Sequence, residues 1–108
     1  MKIVAIEEIP GRLFPKHYDL QGRPVFDANG TKVTMTRMEK TGRCDPHIHE
    51  KASQLFIVLK GEMMFQSPEG DTLVTAGHSV LIEPGEVHSN YNAGDAGTEY
   101  MTVTVAVP

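Results

Sequence analysis

Residues 42–61 read GRCDPHIHEKASQLFIVLKG, and residues 77–92 read GHSVLIEPGEVHSNYN. In the first stretch His47 and His49 stand two residues apart. On an extended backbone that spacing puts both imidazoles on one face. Two neutral imidazoles side by side suit a divalent transition metal. Gln54 opens the apolar run that follows, and a turn through residues 50–53 would bring its amide oxygen back toward the pair. In the second stretch the run Ser79–Ile82 is halted by Pro84-Gly85, a turn pair. His88 then opens the next run. An antiparallel barrel can lay that run beside the first stretch, so that three histidines and one amide oxygen converge at its mouth. Such a set leaves up to two coordination positions for water or substrate, the layout of a catalytic site rather than a structural one.

The rest of the chain agrees with an all-β reading. Pro and Gly recur at Pro10-Gly11, Gly22, Gly30, Gly42, Gly61, Pro68, Gly70, Gly77, Pro84-Gly85, Gly94 and Gly97, with short runs of Val, Ile, Thr, Met and Phe between them. Short strands separated by regular turn signals predict a sandwich or barrel, and no window shows helical periodicity. The strands expected are Lys2–Glu7, Lys32–Glu39, Gln54–Lys60, Glu62–Gln66, Thr72–Thr75, Ser79–Ile82, His88–Asn92 and Glu99–Val107. Residues 67–71 and 92–97 read as hairpin loops. Residues 8–31, dense in Pro and Gly, read as an irregular arm.

With 108 residues and 40% hydrophobic content, the chain has the size of one domain with a core of its own. We expect a single domain over 1–108, with an N-terminal strand and irregular arm at 1–31 and the barrel core at 32–107. The one cysteine, Cys44, excludes an internal disulfide and fits a reducing compartment. The opening MKIVAIEEIPG is cut by Glu7 and Glu8, so it does not read as a signal peptide. No run reaches membrane-spanning length. A cytoplasmic protein without a membrane partner is expected. The net charge of −4 and the lack of a Lys/Arg cluster argue against nucleic acid as a partner.

The two opening stretches resemble the paired motifs of the cupin family. The first runs Gly42, four residues, His47-Ile48-His49, four residues, Gln54, six residues, Gly61. The second runs Gly77, five residues, Glu83-Pro84-Gly85, two residues, His88, three residues, Asn92. Three departures stand out: the first spacer is one residue short, Glu83 replaces a proline, and Gln54 replaces the usual glutamate. The resemblance implies a double-stranded antiparallel β-barrel of the jelly-roll type. It also implies one divalent transition metal per chain (Zn, Ni, Mn, Fe or Cu) on His47, His49, Gln54 and His88. Gln54 either ligates through its oxygen or packs in the wall, leaving a three-histidine site. As a ligand, a neutral amide leaves the metal a stronger Lewis acid than a carboxylate would. The His-His-Gln-His set is also similar to that of small cupins that convert unsaturated uronates to linear keto sugars. Those carry an acidic residue on the C-terminal strand, which here reads YMTVTVAV over 100–107 with no carboxylate.

The expected function is a metal-dependent enzyme acting on a small polar substrate, such as a sugar acid, keto or enol compound, by isomerase, lyase or dioxygenase chemistry. The alternative is a non-catalytic sensor or carbohydrate-binding module using the same cavity. Arg37 and Asn90 are the candidate catalytic helpers, Arg37 as an anchor for an anionic substrate if its strand aims it inward. Cys44 reads as a packed or partly exposed loop thiol, and His17 and His78 as solvated. The methionines on strands read as packing residues. A homodimer is expected, with Lys2–Ile6 pairing across to a second subunit to cover an edge.

Overall fold

A computed structural model describes residues 1–108. The architecture turns on one long strand. Thr31–His47 (β2) pairs with His17–Ala28 (β1) along most of its length. Its first half, Thr31–Met38, pairs with Thr98–Ala106 (β8), while its last residues, Arg43–His47, pair with His88–Asn92 (β7). One strand therefore serves two walls. Gly42 sits where it crosses between them. A Cβ there would collide with the Met38 side chain and lie 2.9 Å from the carbonyls of Asp19 and Glu39, so only glycine fits the bend.

The remaining strands are Ala52–Lys60 (β3), Glu62–Ser67 (β4), Gly70–Thr75 (β5) and Ser79–Ile82 (β6). The order across the antiparallel sheet is β5-β4-β7-β2-β8-β3-β6, with β1 laid on β2. The sheet curls into a nearly closed barrel. Inside it, Leu20, Met38, Phe56, Val58, Met63, Phe65, Val74, Ile82 and Tyr100 form one core. Phe56 is its hub, with ring centroids 5.1 Å from Phe65 and 5.9 Å from Tyr100. Burying such a ring stabilises the fold by roughly 1.5–3 kcal/mol. No helix is long and apolar enough to cross a membrane.

Two expectations are corrected at the N-terminus. Lys2–Glu7 is not a strand: residues 1–5 have no regular structure, and Ile6–Glu8 form a single 3-10 turn. The apolar run is too short and finds no strand partner within the chain. Conversely, the arm expected to be irregular holds β1. β2 is the only strand that pairs with β1, whose other edge meets just a single bridge between Gly22 and Arg12, so Pro24 is tolerated, and register shifts at Tyr18/Leu20 and Pro24/Phe26 absorb the irregular residues. Asp19 takes a left-handed φ of 52° at the first of these shifts. Strand β2 also runs on to His47 rather than ending at Glu39, so Cys44 is a buried strand residue, not a loop thiol.

Candidate metal centre

The site forms where β2 ends. His47 is the last residue of β2, His49 lies just beyond it, and His88 opens β7 directly across from His47. The Pro84-Gly85 turn is fastened to this corner. Gly85 adopts φ +85°, and its N–H donates to the His49 carbonyl at 2.9 Å. The chain therefore leaves the turn with His88 already aimed at the other two histidines. One ring nitrogen from each of His47, His49 and His88 lies within 4.8 Å of the others. The ring centroids are 4.3 Å apart for His47–His88 and 5.0 Å for His47–His49.

Hydrogen bonding fixes two of the tautomers. His47 Nδ1 donates to the Asp45 carbonyl at 2.9 Å, and His88 Nδ1 donates to the Glu86 carbonyl at 3.0 Å. A carbonyl can only accept, so both protons sit on Nδ1 and both Nε2 lone pairs are free. Burial pushes the pKa of His88 and of His49 down, and the neighbouring imidazoles add to the effect at both. Both are therefore neutral, ligand-ready rings at neutral pH.

Gln54 stands on the inward face of β3. Its Nε2 donates to Thr104 Oγ1 on β8 at 3.1 Å, which turns Oε1 toward the cavity. His49 Nε2, Gln54 Oε1, His88 Nε2 and Asn90 Oδ1 are all buried without a hydrogen-bond partner. An unsatisfied buried polar atom costs about 1–3 kcal/mol. The two unpartnered imidazole nitrogens belong to the three-histidine cluster, which could hold a cation, and imidazole suits a divalent transition metal.

Above this floor opens a cavity of about 340 Å³, lined by His47, His49, Gln54, Asn90 and Tyr100 and by the threonines of β2 and β8. Along β2, Thr34 and Thr36 face in. Along β8, Tyr100, Thr102 and Thr104 do the same. His88 does not line this cavity but borders a second one of about 400 Å³ beside the β4–β5 hairpin. Burial raises the Tyr100 hydroxyl far above its ordinary value, so it stays protonated.

Arg37, expected as a possible substrate anchor, is not in this cavity. On β2 the residues facing in are 34 and 36, which turns residue 37 outward. There Arg37 pairs with Glu99 at 3.0 Å and with Glu7 at 3.6 Å. Asn90 does face the cavity and is 2% exposed. His17, expected to be solvated, instead lines the mouth. Its Nδ1 donates to the Pro15 carbonyl at 2.7 Å, and its Nε2 lies 3.4 Å from Cys44 Sγ. The placement of β1 decides this, and nothing local to His17 signalled it. Burial pushes the Cys44 thiol up to about 11, so it is a packed thiol and a poor ligand. Asn92, the last residue of the second motif, holds a loop: its Nδ2 donates to the Ala96 and Lys40 carbonyls, and its Oδ1 accepts from Thr98 at 2.6 Å.

A nearly closed antiparallel barrel with a cluster of histidines at one mouth defines a class of small β-barrel proteins. Residues 33–104 match the family model of the cupin domain, well over half of the sequence, and the chain belongs to that family. Among curated proteins it is similar to the uncharacterized protein YdbB of Bacillus subtilis (strain 168), 43% identical over 49 residues. That match spans 44% of this chain and 43% of the relative, less than half the length of each. Among solved structures, a predicted oxalate decarboxylase from Thermotoga maritima superposes with a TM-score of 0.90 at 19% identity, covering 98% of this chain and all of the other. The polyketide cyclase RemF from Streptomyces resistomycificus superposes with a TM-score of 0.86 at 22% identity, covering 97% of this chain and 79% of the other. At these identities the likeness is one of fold.

Proposed function

We propose that the chain binds one divalent transition metal (Zn, Ni, Mn, Fe or Cu) through His47, His49, Gln54 and His88, and acts as a metal-dependent enzyme on a small keto, enol or sugar-acid substrate. The observation that carries this reading is the set of buried acceptor atoms left unpartnered at one corner: His49 Nε2, His88 Nε2 and Gln54 Oε1. When bound, the metal would supply Lewis acidity toward a carbonyl or enol oxygen, or redox chemistry with dioxygen. The chain's own residues do the rest. The Nδ1 bonds to the Asp45 and Glu86 carbonyls hold the His47 and His88 rings in the ligating tautomer. The threonine wall supplies hydroxyls that donate to or accept from a polar substrate. The Asn90 carboxamide is placed to orient it. Phe56, with its ring centroid 6.2 Å from that of His88, closes the floor against water. Isomerase, lyase and dioxygenase reactions share these requirements, and the fold does not choose among them.

One observation favours a second reading. The cavity lining holds no carboxylate, so no acidic side chain is at hand as a general base. A non-catalytic small-molecule or carbohydrate sensor would need none. Elemental analysis of protein purified without added metal, followed by a turnover screen of keto, enol and sugar acids, tests both. Stoichiometric metal with turnover supports the enzyme. Stoichiometric metal with saturable binding and no turnover supports the sensor. Absence of metal from fully folded protein removes the metal-dependent reading.

We further infer a homodimer, but not one built by strand pairing of Lys2–Ile6, which is not a strand. The outward face of the sheet is unusually apolar. Phe26, Val33, Val103, Leu55 and Leu81 stand in one register row across five strands, with Met35, Met101 and Ile57 in the next. Rows about 6.8 Å apart on strands about 4.8 Å apart give this face on the order of 300 Å², whereas a stable interface takes about 800 Å² per partner. The exposed Met1, Ile3 and Val4 can supply the balance. A second copy of the chain, apposed by a two-fold axis, is the partner this face suits. The single cysteine, free of any disulfide, fits assignment to the cytoplasm.

A further inference from the structure

The charge of the cavity is opposite to that of the chain. The protein has 14 acidic and 10 basic residues, for a net charge of −4. Yet none of the acidic residues lines the cavity above the histidines, while Lys16 and Lys32 both do. Neither lysine is neutralised: all four ion pairs in the chain use arginine. Asp27 stands opposite Lys32 in the β1–β2 register but makes no ion pair with it. Asp45, which lies next to the mouth, is engaged by Arg43 at 2.6 Å and by the Tyr18 hydroxyl at 3.0 Å.

The two lysines are held in place by the fold. Lys32 faces inward because it shares the parity of Thr34 and Thr36. It stands in a row with Thr104 on β8 and Gln54 on β3. Two strand spacings separate Lys32 from Gln54, about 10 Å between backbones. Lys16 reaches the mouth on the segment leading into β1. Its φ is +62°, a left-handed conformation uncommon for a residue with a side chain. Its carbonyl accepts the Asp45 N–H at 2.9 Å, which ties that strained residue to the strand carrying His47.

We propose that Lys32 and Lys16 form a carboxylate-binding subsite at the cavity mouth, so that the ligand of this site is an organic acid of about four to six carbons. One end of the acid meets the histidine floor, and its carboxylate meets the lysines across the threonine wall. The proposal deepens the reading given under Proposed function, since it takes the histidine corner as the floor of the same cavity. The neutral Gln54 sharpens it. With an amide in place of a carboxylate, a divalent ion would bring two positive charges to a cavity whose lining already holds two lysines and no carboxylate. Such a cavity focuses its field on anions and rejects neutral analogues of the same shape.

The test uses succinate and its neutral counterpart succinamide as probes, by calorimetry on the full chain, metal-free and after loading with Zn(II). Succinate is expected to bind wild type at least tenfold more tightly than succinamide, and the preference should shrink as salt is raised. In the K16M/K32M double variant, succinate affinity should fall about tenfold or more, with Zn(II) affinity and melting temperature unchanged. Lys32→Arg should keep most of the affinity. Equal binding of the two probes, no binding of succinate to wild type in either state, or a double variant that binds succinate as well as wild type would overturn the subsite. Failure of wild type to take up Zn(II) strikes only the metal reading, because the metal-free comparison of the two probes still decides the subsite.

Discussion

Gln54 carries more information than any other residue in the chain. Its Nε2 is committed to Thr104, and its Oε1 is buried and unpartnered at the cavity floor. Changing it to Glu keeps size and reach and adds one negative charge. The Thr104 hydroxyl can donate to the new carboxylate, so the wall bond survives the exchange. If position 54 ligates the ion, Gln54→Glu should tighten binding of a hard ion such as Mn(II) by an order of magnitude or more, with little loss of stability once metal is bound. A residue that merely packed would behave otherwise: a half-buried carboxylate with no cation to offset its charge should cost about 1–3 kcal/mol with metal affinity unmoved. Metal affinity and melting temperature of Gln54→Glu together separate the two. The cluster of His47, His49 and His88 was legible in the sequence because its spacing is local. His47 and His49 need only an extended backbone, and His88 needs only a turn at Pro84-Gly85. Arg37 was misread because its direction depends on strand parity, and the parity of β2 is inverted. Threonines face the cavity, while Val33 and Met35 face out. A rule that puts apolar residues inside cannot fix the direction of such a strand.

At the scale of elements, the turn between β6 and β7 does what no single ligand can. Gly85 binds the His49 carbonyl while its own φ of +85° sets the exit direction toward His88. Gly85→Ala has free space for its Cβ but not the conformation. Left-handed backbone costs a residue with a side chain roughly 1–2 kcal/mol. Gly85→Ala should therefore lose about that much stability and bind metal several-fold more weakly. Gly94→Ala, at a glycine without a left-handed φ and with nothing closer than 3.8 Å, should change neither. Equal effects of the two substitutions in denaturation and metal titration would remove the turn from the account. Most strands could be read directly: Ser79–Ile82 and His88–Asn92 match to the residue, and Gln54–Lys60 to within two. β1 could not. Pro24 and Gly22 signal a loop, and only the long-range pairing with β2 makes a strand of them, with Gly22 leaving room for the Phe14 ring. Missing β1 meant missing His17 and Lys16 at the cavity mouth.

At the scale of the whole molecule, two properties follow from burial. The first is pH dependence. His49 and His88 have pKa values lowered from 6.5, chiefly by burial. Below that value the unfolded chain holds protons that the folded chain resists, so stability falls as pH falls. Metal-free protein should melt at progressively lower temperature from about pH 6.5 downward, and the H49Q/H88Q variant should show a flatter profile over that range. Identical profiles for the two would contradict the assignment of burial as the cause. The second property is association. With Val103 and Leu81 on an exposed apolar face, wild type should sediment as a dimer at micromolar concentration. The V103K/L81K variant should sediment as a monomer while keeping its metal. A wild-type monomer at tens of micromolar would leave the apolar face unexplained and the dimer refuted.

The central claim is that one metal ion sits on four named side chains, and anomalous scattering from crystals grown with the candidate ion tests it most directly. Collected above and below the absorption edge, the data should show a single peak per chain, about 2.0–2.2 Å from nitrogen atoms of His47, His49 and His88 and at bonding distance from Gln54 Oε1. The H47A/H49A variant should show none at that place. No peak in wild type, or a peak held by other residues with the histidine corner left empty, would contradict the account.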